Sequence, residues 1–534
     1  MSRRTPTPQT DQIWDPTNTT ARWHRLWLAH LKAQTETNPN HPAAQPGNTA
    51  IEDYERAHQQ YLNRPALWLA DTESREQTTR HDLQAALEQY NVVAEHDLIH
   101  HGLTSHDITD VAIQQNIVEN THIILEHTEH IVGVLASQAN EHRDWPMLAR
   151  THGQPAQVSS YGLRIATVLS PLIDWYQRTN ETLSQYPLRP PWGAVGTAAD
   201  LARVLTGWKS TEPASPSPRL RDPADVIRRH PEAIQFRMSE RQVTPLHYCT
   251  EKRGAIASVG GDTQRCCCWW DYTTKSTPPP LGGLLNQYQQ SLLAGSSLRA
   301  NMLATRQIYH RSYDLPIASA MVELASIAQT WATDRRLEAM LGLGNERRDG
   351  GQVGSSAMAH KTNPVLVERI CSLTSLTRGH YTTLAELAGQ GWLEGDVSTS
   401  GARREVWPAL FSNLEAIISN WAEAAERWQP DRTAMSEEIN RNLAEVSTGA
   451  LLQWLVERGM TRQHAHAVIA SWAEQEFNSC ERVDDLLNEL GLEHRPEDIN
   501  ELQKAILDAT CIPDSAMHVL GRVLVAAGLI TDDM

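Results

Sequence analysis

Four short blocks carry side chains that could move protons or hold anions. Thr79-Arg80-His81-Asp82 joins a cation, an imidazole and a carboxylate. Such a set can bind an anion and fix a histidine tautomer. It also reads plainly as a helix start with Asp82 in its first turn. His100-His101-Gly102-Leu103-Thr104-Ser105-His106-Asp107 stands just before a long helical pattern. A Thr-Ser pair at a helix N-terminus is a ready carboxylate site, and Ser105 or Asp107 would equally serve as an N-cap. Arg150-Thr151-His152-Gly153-Gln154 sets a histidine beside glycine. His152 could act there as acid or base, although the plain reading of a lone histidine is structural. The fourth block is the most specific: Gly351-Gln352-Val353-Gly354-Ser355-Ser356-Ala357-Met358-Ala359-His360-Lys361-Thr362-Asn363-Pro364. Glycines and paired serines ahead of a lysine and an Asn-Pro helix start describe a mobile loop docking on a fixed helix. A lid closing over substrate has that design.

All four blocks are expected at helix boundaries. Between Val111 and Trp145 there is no proline, and Ile113, Ile117, Ile124, Ile131 and Leu135 recur at spacings of four and seven. That marks one apolar face of a long helix. Further helical patterns run over about 156–186, with Pro171 as a kink, and over about 315–341, 364–387 and 406–428. No series of alternating short strands is visible. Helices this long need partners along their length, so the expected fold class is all-α, a long-helix bundle in an oligomer. The window 206–285 differs: it holds nine of the 28 prolines and reads as an insertion, a surface excursion or partly disordered.

The 534 residues allow about three domains. The expected division is 1–108, a central bundle domain 109–434, and 435–534. Lys and Arg number 47 against 64 Asp and Glu, a formal charge of −17. So acidic a chain is not expected to coat nucleic acid, which needs a basic surface. One small anion in a basic cleft stays compatible with it. No run of 18 apolar residues occurs, so no membrane span is expected. No secretory signal is expected either. Seven cysteines, mostly isolated, suit reduced thiols and a cytoplasmic location. Cys266-Cys267-Cys268 lacks zinc-knuckle spacing, and no metal or cofactor is expected.

The blocks, in this order on long helices, resemble the fumarase/aspartase superfamily and, within it, the adenylosuccinate lyase family. Gly354 to Pro364 looks like the superfamily signature, glycine-serine-serine-x-methionine-proline-x-lysine-x-asparagine-proline. The likeness covers most of about 12–205 and 303–430, and the C-terminal part more loosely. Ile13-Trp14, Arg25-Leu26-Trp27-Leu28, Gly193 to Thr197, Gln307-Ile308-Tyr309 and Glu394 to Arg404 extend it. The resemblance implies a three-domain all-α fold whose central helices form the bundle of a homotetramer. Each active site would be shared by three subunits.

It also implies a reaction: elimination across a C–N or C–O bond with release of fumarate. The resemblance makes Ser355 the base, a serine that needs activation by lid closure, helix dipoles and Lys361. Lys361 and Asn363 would hold the carboxylate on which charge builds. His152 would be the general acid, with Glu368 as the partner that raises its pKa. Thr104 and Ser105 resemble carboxylate binders, and His81 and His100 two further active-site histidines. Arg80, Gln307, Ser400 and Arg404 correspond to ligands of a nucleotide or succinyl arm. Asp82, Gln154, Ser356 and Met358 complete the expected substrate contacts.

The sequence departs from the pattern in places. Ala359 replaces the signature proline, which would loosen the lid, and Thr362 follows Lys361. An Arg-Tyr pair usual near the start is absent, with Thr5 and Pro6 near there. Gly395 stands where an arginine is common, and Trp407-Pro408-Ala409 replaces leucine-proline-aspartate. These changes touch the nucleotide side more than the elimination chemistry. The first expectation is therefore cleavage of adenylosuccinate to AMP and fumarate. A divergent lyase acting on a nitro-, amino- or argininosuccinate is the second. A non-catalytic tetrameric scaffold is the third.

Overall fold

The computed structural model describes residues 9–206, 247–249, 254–256, 285, 288, 302, 304–347, 358, 360–473 and 496–530. Of the window 206–285, everything but Thr206, the paired strands His247–Cys249 and Gly254–Ile256, and Leu285 lies outside the described residues. The chain begins with α1 (Gln9–Ile13), α2 (Pro16–Thr37), α3 (Ala50–Asn63), α4 (Pro65–Thr79) and α5 (Asp82–Ala94). Then comes α6 (Ser105–Glu141), 37 residues and roughly 55 Å at the usual helical rise. The hairpin β1 (Pro146–Thr151) and β2 (Gln154–Ser160) leads into α7 (Tyr161–Ser184), and α8 spans Ala199–Thr206. Three more long helices follow: α9 (Leu315–Leu341), α10 (Val365–Ala388) and α11 (Ser400–Arg427). Shorter helices from Arg432 to Ala526 close the described chain.

The long helices α6, α7, α9, α10 and α11 share one apolar core. The isoleucine ladder of α6 faces it: Ile117, Ile124, Ile131 and Leu135 are fully buried. So are Trp175, Trp331, Trp407 and Trp421. Each brings a large apolar surface whose indole N–H needs a partner; Trp175 donates to the Ala320 carbonyl at 2.7 Å. The last described helix, Asp514–Ala526, lays Leu520 and Leu524 on the same core. Helix α7 keeps Pro171 inside it, and α11 keeps Pro408.

A second core gathers α2 to α5 and the first turns of α6. It is aromatic: Trp27, Tyr54, Tyr61 and Tyr90 are at most 1 % exposed. His24 lies among them, its ring stacked on Tyr90 at 3.9 Å and 10°. Leu451, Trp454, Leu455, Ala465 and Ile469 make a smaller third core.

The expectation that all four blocks lie at helix boundaries fails for 150–154, and the helical pattern does not begin at 156. Thr151 and Gln154 pair across a hairpin, with His152 (φ +54°) and Gly153 (φ +78°) as its two-residue turn. Two successive left-handed residues match the twist of a tight hairpin. Val158 stands three and seven residues before Tyr161 and Ile165, a helical spacing that carries across the strand. Helix α7 starts only where the Ser160 hydroxyl accepts the Leu163 N–H at 3.1 Å.

Buried neutral histidines make this N-terminal core sensitive to acid. Burial first, then the Arg25 charge and the neighbouring imidazoles, holds His24 and His58 below the ordinary value; burial lowers His30 to about 3. The unfolded chain takes up these protons near pH 6.5, whereas the folded chain resists them. Stability is therefore complete above about pH 6.5 and is lost as pH falls from there towards 3. Melting temperatures measured across this range should fall with pH, and His24→Phe should flatten the fall. An equally steep fall in that variant would place the acid sensitivity elsewhere.

Candidate active site

The first two sequence blocks meet at one corner. Arg80 ends α4 in a left-handed conformation, φ 54°. The next residue, His81, caps α5, its Nδ1 accepting the Gln84 N–H at 3.4 Å. With Nδ1 as acceptor, Nε2 carries the proton and faces Ser105 Oγ at 3.2 Å. Thr104, rather than Ser105 or Asp107, is the N-cap of α6. Ser105 is thus the first residue of the longest helix. Its hydroxyl stands at the positive end of the dipole, beside backbone N–H groups with no helical acceptor.

Distant segments complete the corner. The Gln307 amide donates to Thr104 Oγ1 at 3.3 Å. Arg404, in the first turns of α11, pairs with Asp82 at 2.8 Å. Ser400 opens α11, and its Oγ is buried without a hydrogen bond among the described residues. The Asp82–Arg404 pair lines a cavity of about 250 Å³ together with Trp14, Trp23, Ile113, Asn116 and Pro408. The bottom of the corner is a buried ion network. Asp107 accepts the Thr104 N–H at 2.7 Å and pairs with Arg189, both side chains fully buried. Arg189 Nε in turn donates to the Gln307 carbonyl at 3.1 Å. One turn on, Asp110 meets Arg311 at 3.0 Å and Arg403 at 3.3 Å. Arg403 reaches Asp314 at 2.7 Å, and Asp314 also accepts from Tyr186 and Tyr309 at 2.7 Å each. Burial opposes the charge on Asp110, but Arg311, His106 and Arg403 hold its carboxyl well below the usual range.

Other expected residues stand apart from this corner. His152 and Gln154 lie exposed at the tip of the β1–β2 hairpin. Arg150 braces the tip, donating to the Gly153 carbonyl at 3.0 Å and pairing with Glu438 at 2.6 Å. Met358 and Lys361 are exposed and Asn363 is half-buried, all ahead of α10; Glu368 is exposed in its first turn. Glu346 accepts the Leu366 N–H at 3.2 Å and so ties that helix start to the strand Gly344–Glu346. Among the described residues of one chain, no ion pair joins His152 to Glu368. Ser355 and Ser356 lie outside the described residues.

Sequence reasoning gave Asp107 only a capping role and left Arg189, Asp110, Arg311, Arg403 and Asp314 unread. The Thr-x-x-Asp spacing signals a capping box, but nothing local announces that Arg189 is its partner.

A family model described as "Lyase" matches residues 9–206. The chain is 24 % identical over 464 residues to adenylosuccinate lyase of Saccharomyces cerevisiae, covering 86 % of this chain and 79 % of that one. To adenylosuccinate lyase of Thermotoga maritima it is 23 % identical over 407 residues, 76 % of this chain and 75 % of that one. Its fold is similar to the crystal structure of a fumarate lyase from Mesorhizobium sp. BNC1. That likeness has a TM-score of 0.67 and 17 % identity, covering 97 % of each chain.

Neighbouring arginines on α11 should respond oppositely to substitution. Arg403→Met leaves Asp110 and Asp314 buried with one cation fewer, at a cost of about 3–5 kcal/mol. Arg404→Gln breaks a solvent-exposed pair and should cost below about 1 kcal/mol. Urea unfolding of both variants tests this; equal losses would refute the division between core and site. The chain is thus similar over residues 9–206 to a lyase family, over most of its length to two adenylosuccinate lyases, and in fold to a fumarate lyase.

Proposed function

We propose that the chain eliminates fumarate from adenylosuccinate, leaving AMP, and likewise cleaves the succinylated aminoimidazole carboxamide ribotide, within purine nucleotide biosynthesis. The observation that carries this reading is the corner where His81 faces Ser105 at the N-terminus of α6, flanked by Gln307–Thr104 and Arg404–Asp82. Donors converge there on a spot suited to a carboxylate. The flat indole walls of the adjacent cavity, which Asp82 and Arg404 also line, suit a planar base. The curated relatives named adenylosuccinate lyase support the same substrate.

In this reading Ser355 takes the proton beside the substrate carboxylate. Lys361 and Asn363 stabilise the charge that grows on that carboxylate. His152 protonates the leaving nitrogen, with Glu368 as its partner across subunits. Arg80, His81, Asp82, His100, Thr104, Ser105, Gln154, Gln307, Ser356, Met358, Ser400 and Arg404 hold the substrate. The exposed hairpin tip with His152, the helix start with Lys361 and the Ser105 corner then come together between subunits of a cytoplasmic homotetramer. In this reading the chain divides at 108 and 434 into an N-terminal domain, the bundle domain and a C-terminal domain. No cofactor takes part.

A second reading is a lyase for another succinyl substrate, and one observation favours it. Gly395, where the family often has arginine, has φ +136°, and a Cβ there would lie 2.9 Å from Ile308. This backbone does not accept a side chain at 395, so one basic ligand for a nucleotide is missing from that place.

The test is turnover of adenylosuccinate by the purified protein, with fumarate and AMP quantified in parallel. Equal amounts of both are expected. Ser355→Ala should abolish turnover, and His152→Gln should lower it by about 10²–10⁴-fold. Fumarate from nitro-, amino- or argininosuccinate without cleavage of adenylosuccinate would establish the second reading. No fumarate from any of them would leave a scaffold.

A further inference from the structure

We propose that Trp27 is a positioning residue that locks His100 in its Nε2–H tautomer, so that His100 offers the cleft a hydrogen-bond donor. The argument starts from one contact. Trp27 Nε1 lies 3.0 Å from His100 Nδ1. An indole nitrogen only donates. His100 Nδ1 must therefore carry a lone pair, and in the neutral ring the proton sits on Nε2. Protonating the ring would set two N–H groups against each other.

Trp27 is well held for this task. It is fully buried, with ring centroids 6.2 Å from both His24 and Tyr90, and it meets the His100 ring edge-on at 6.1 Å and 88°. Seven residues on, along the same face of α2, Gln34 donates to the His101 carbonyl at 2.8 Å. Helix α2 thus grips the His100–His101 turn at two points. The turn needs the grip, because His100 takes φ +67°, uncommon for a residue with a side chain. Three residues later the same segment supplies Thr104 and Ser105.

The charges around His100 also favour the neutral ring. Burial lowers its pKa to about 4; His101 and His81 push the same way, and Asp107 alone opposes them. Trp27, His30 and Gln34 face the turn from α2, and burial keeps His30 neutral as well. His100 therefore serves near neutrality as a fixed donor and not as an acid or base. No described residue accepts from its Nε2, which leaves that N–H for an anionic oxygen of a ligand. This inference rests on the reading that the 100–107 segment borders the substrate site.

Hydrogen–deuterium exchange at histidine Cε1, followed by mass spectrometry over the acid range, tests the lock in the intact protein without any substrate. Trp27→Phe keeps the ring and removes the N–H. His100 should then bind a proton about tenfold more tightly, the worth of one hydrogen bond. Unchanged proton affinity would overturn the lock. The role in the cleft is tested by His100→Gln against His100→Asn. Glutamine can accept from Trp27 through Oε1 and still donate through Nε2; asparagine is too short for both. His100→Gln should keep KM for the succinyl substrate within about threefold of wild type, and His100→Asn should raise it about tenfold or more, the worth of one buried hydrogen bond. Equal KM values in the two variants would overturn the donor role. A protein that turns over no succinyl substrate defeats the functional reading alone, because the exchange experiment still decides the lock.

Discussion

Two carboxylates one helical turn apart, Asp107 and Asp110, sit fully desolvated at the start of α6 and face three buried arginines. A charge taken out of water costs several kcal/mol unless it is paired and hydrogen-bonded. The chain meets that cost by drawing segments far apart in sequence onto one spot. Arg189 comes from the loop after α7, Arg311 from the turn before α9, and Arg403 from the first turn of α11. None of these segments can shift alone without stranding a charge. Their neighbours Gln307, Ser400 and Arg404, half-buried or exposed, are therefore placed with the precision of the core.

Asp107 links this network to the chemistry. One oxygen accepts the Thr104 N–H and closes the first turn of α6; the other holds Arg189. Arg189 reaches the Gln307 carbonyl, and the Gln307 side chain returns to Thr104. The circuit fixes both the helix end and one donor beside it. Tight packing reinforces it: a Cβ on Gly196 would lie 1.9 Å from the Thr305 carbonyl oxygen, so only glycine lets the 193–197 loop reach the segment carrying Gln307. On the other side of the corner, α2 backs the His100–Ser105 segment through Trp27 and Gln34. An electrostatic clamp and an aromatic wall thus hold the same short stretch from opposite sides.

Much of this was legible from residue order alone. Apolar periodicity gave the long helices; Leu315–Leu341 and Val365–Ala388 fall within a residue or so of their expected spans. Spacing of apolar residues reports burial directly, so long helices read well. The hairpin at 146–160 did not, because its turn pair His152-Gly153 is too brief to interrupt the helical spacing that surrounds it. The segments 79–82 and 100–107 were readable as chemistry because histidine, serine and carboxylate crowd into a few residues next to helix ends.

The order of amino acids by itself determined the all-α class, the acidic surface balance and the polar blocks at helix starts. Those properties depend on residue type and on neighbours within a turn or two. Tertiary structure alone decided which blocks meet, that Asp107 pairs with Arg189 and Asp110 with Arg311 and Arg403, and that Trp27 donates to His100. A buried charge or a ring nitrogen selects its partner by distance and desolvation in three dimensions, and positions 73 to 293 residues apart carry no local trace of that choice.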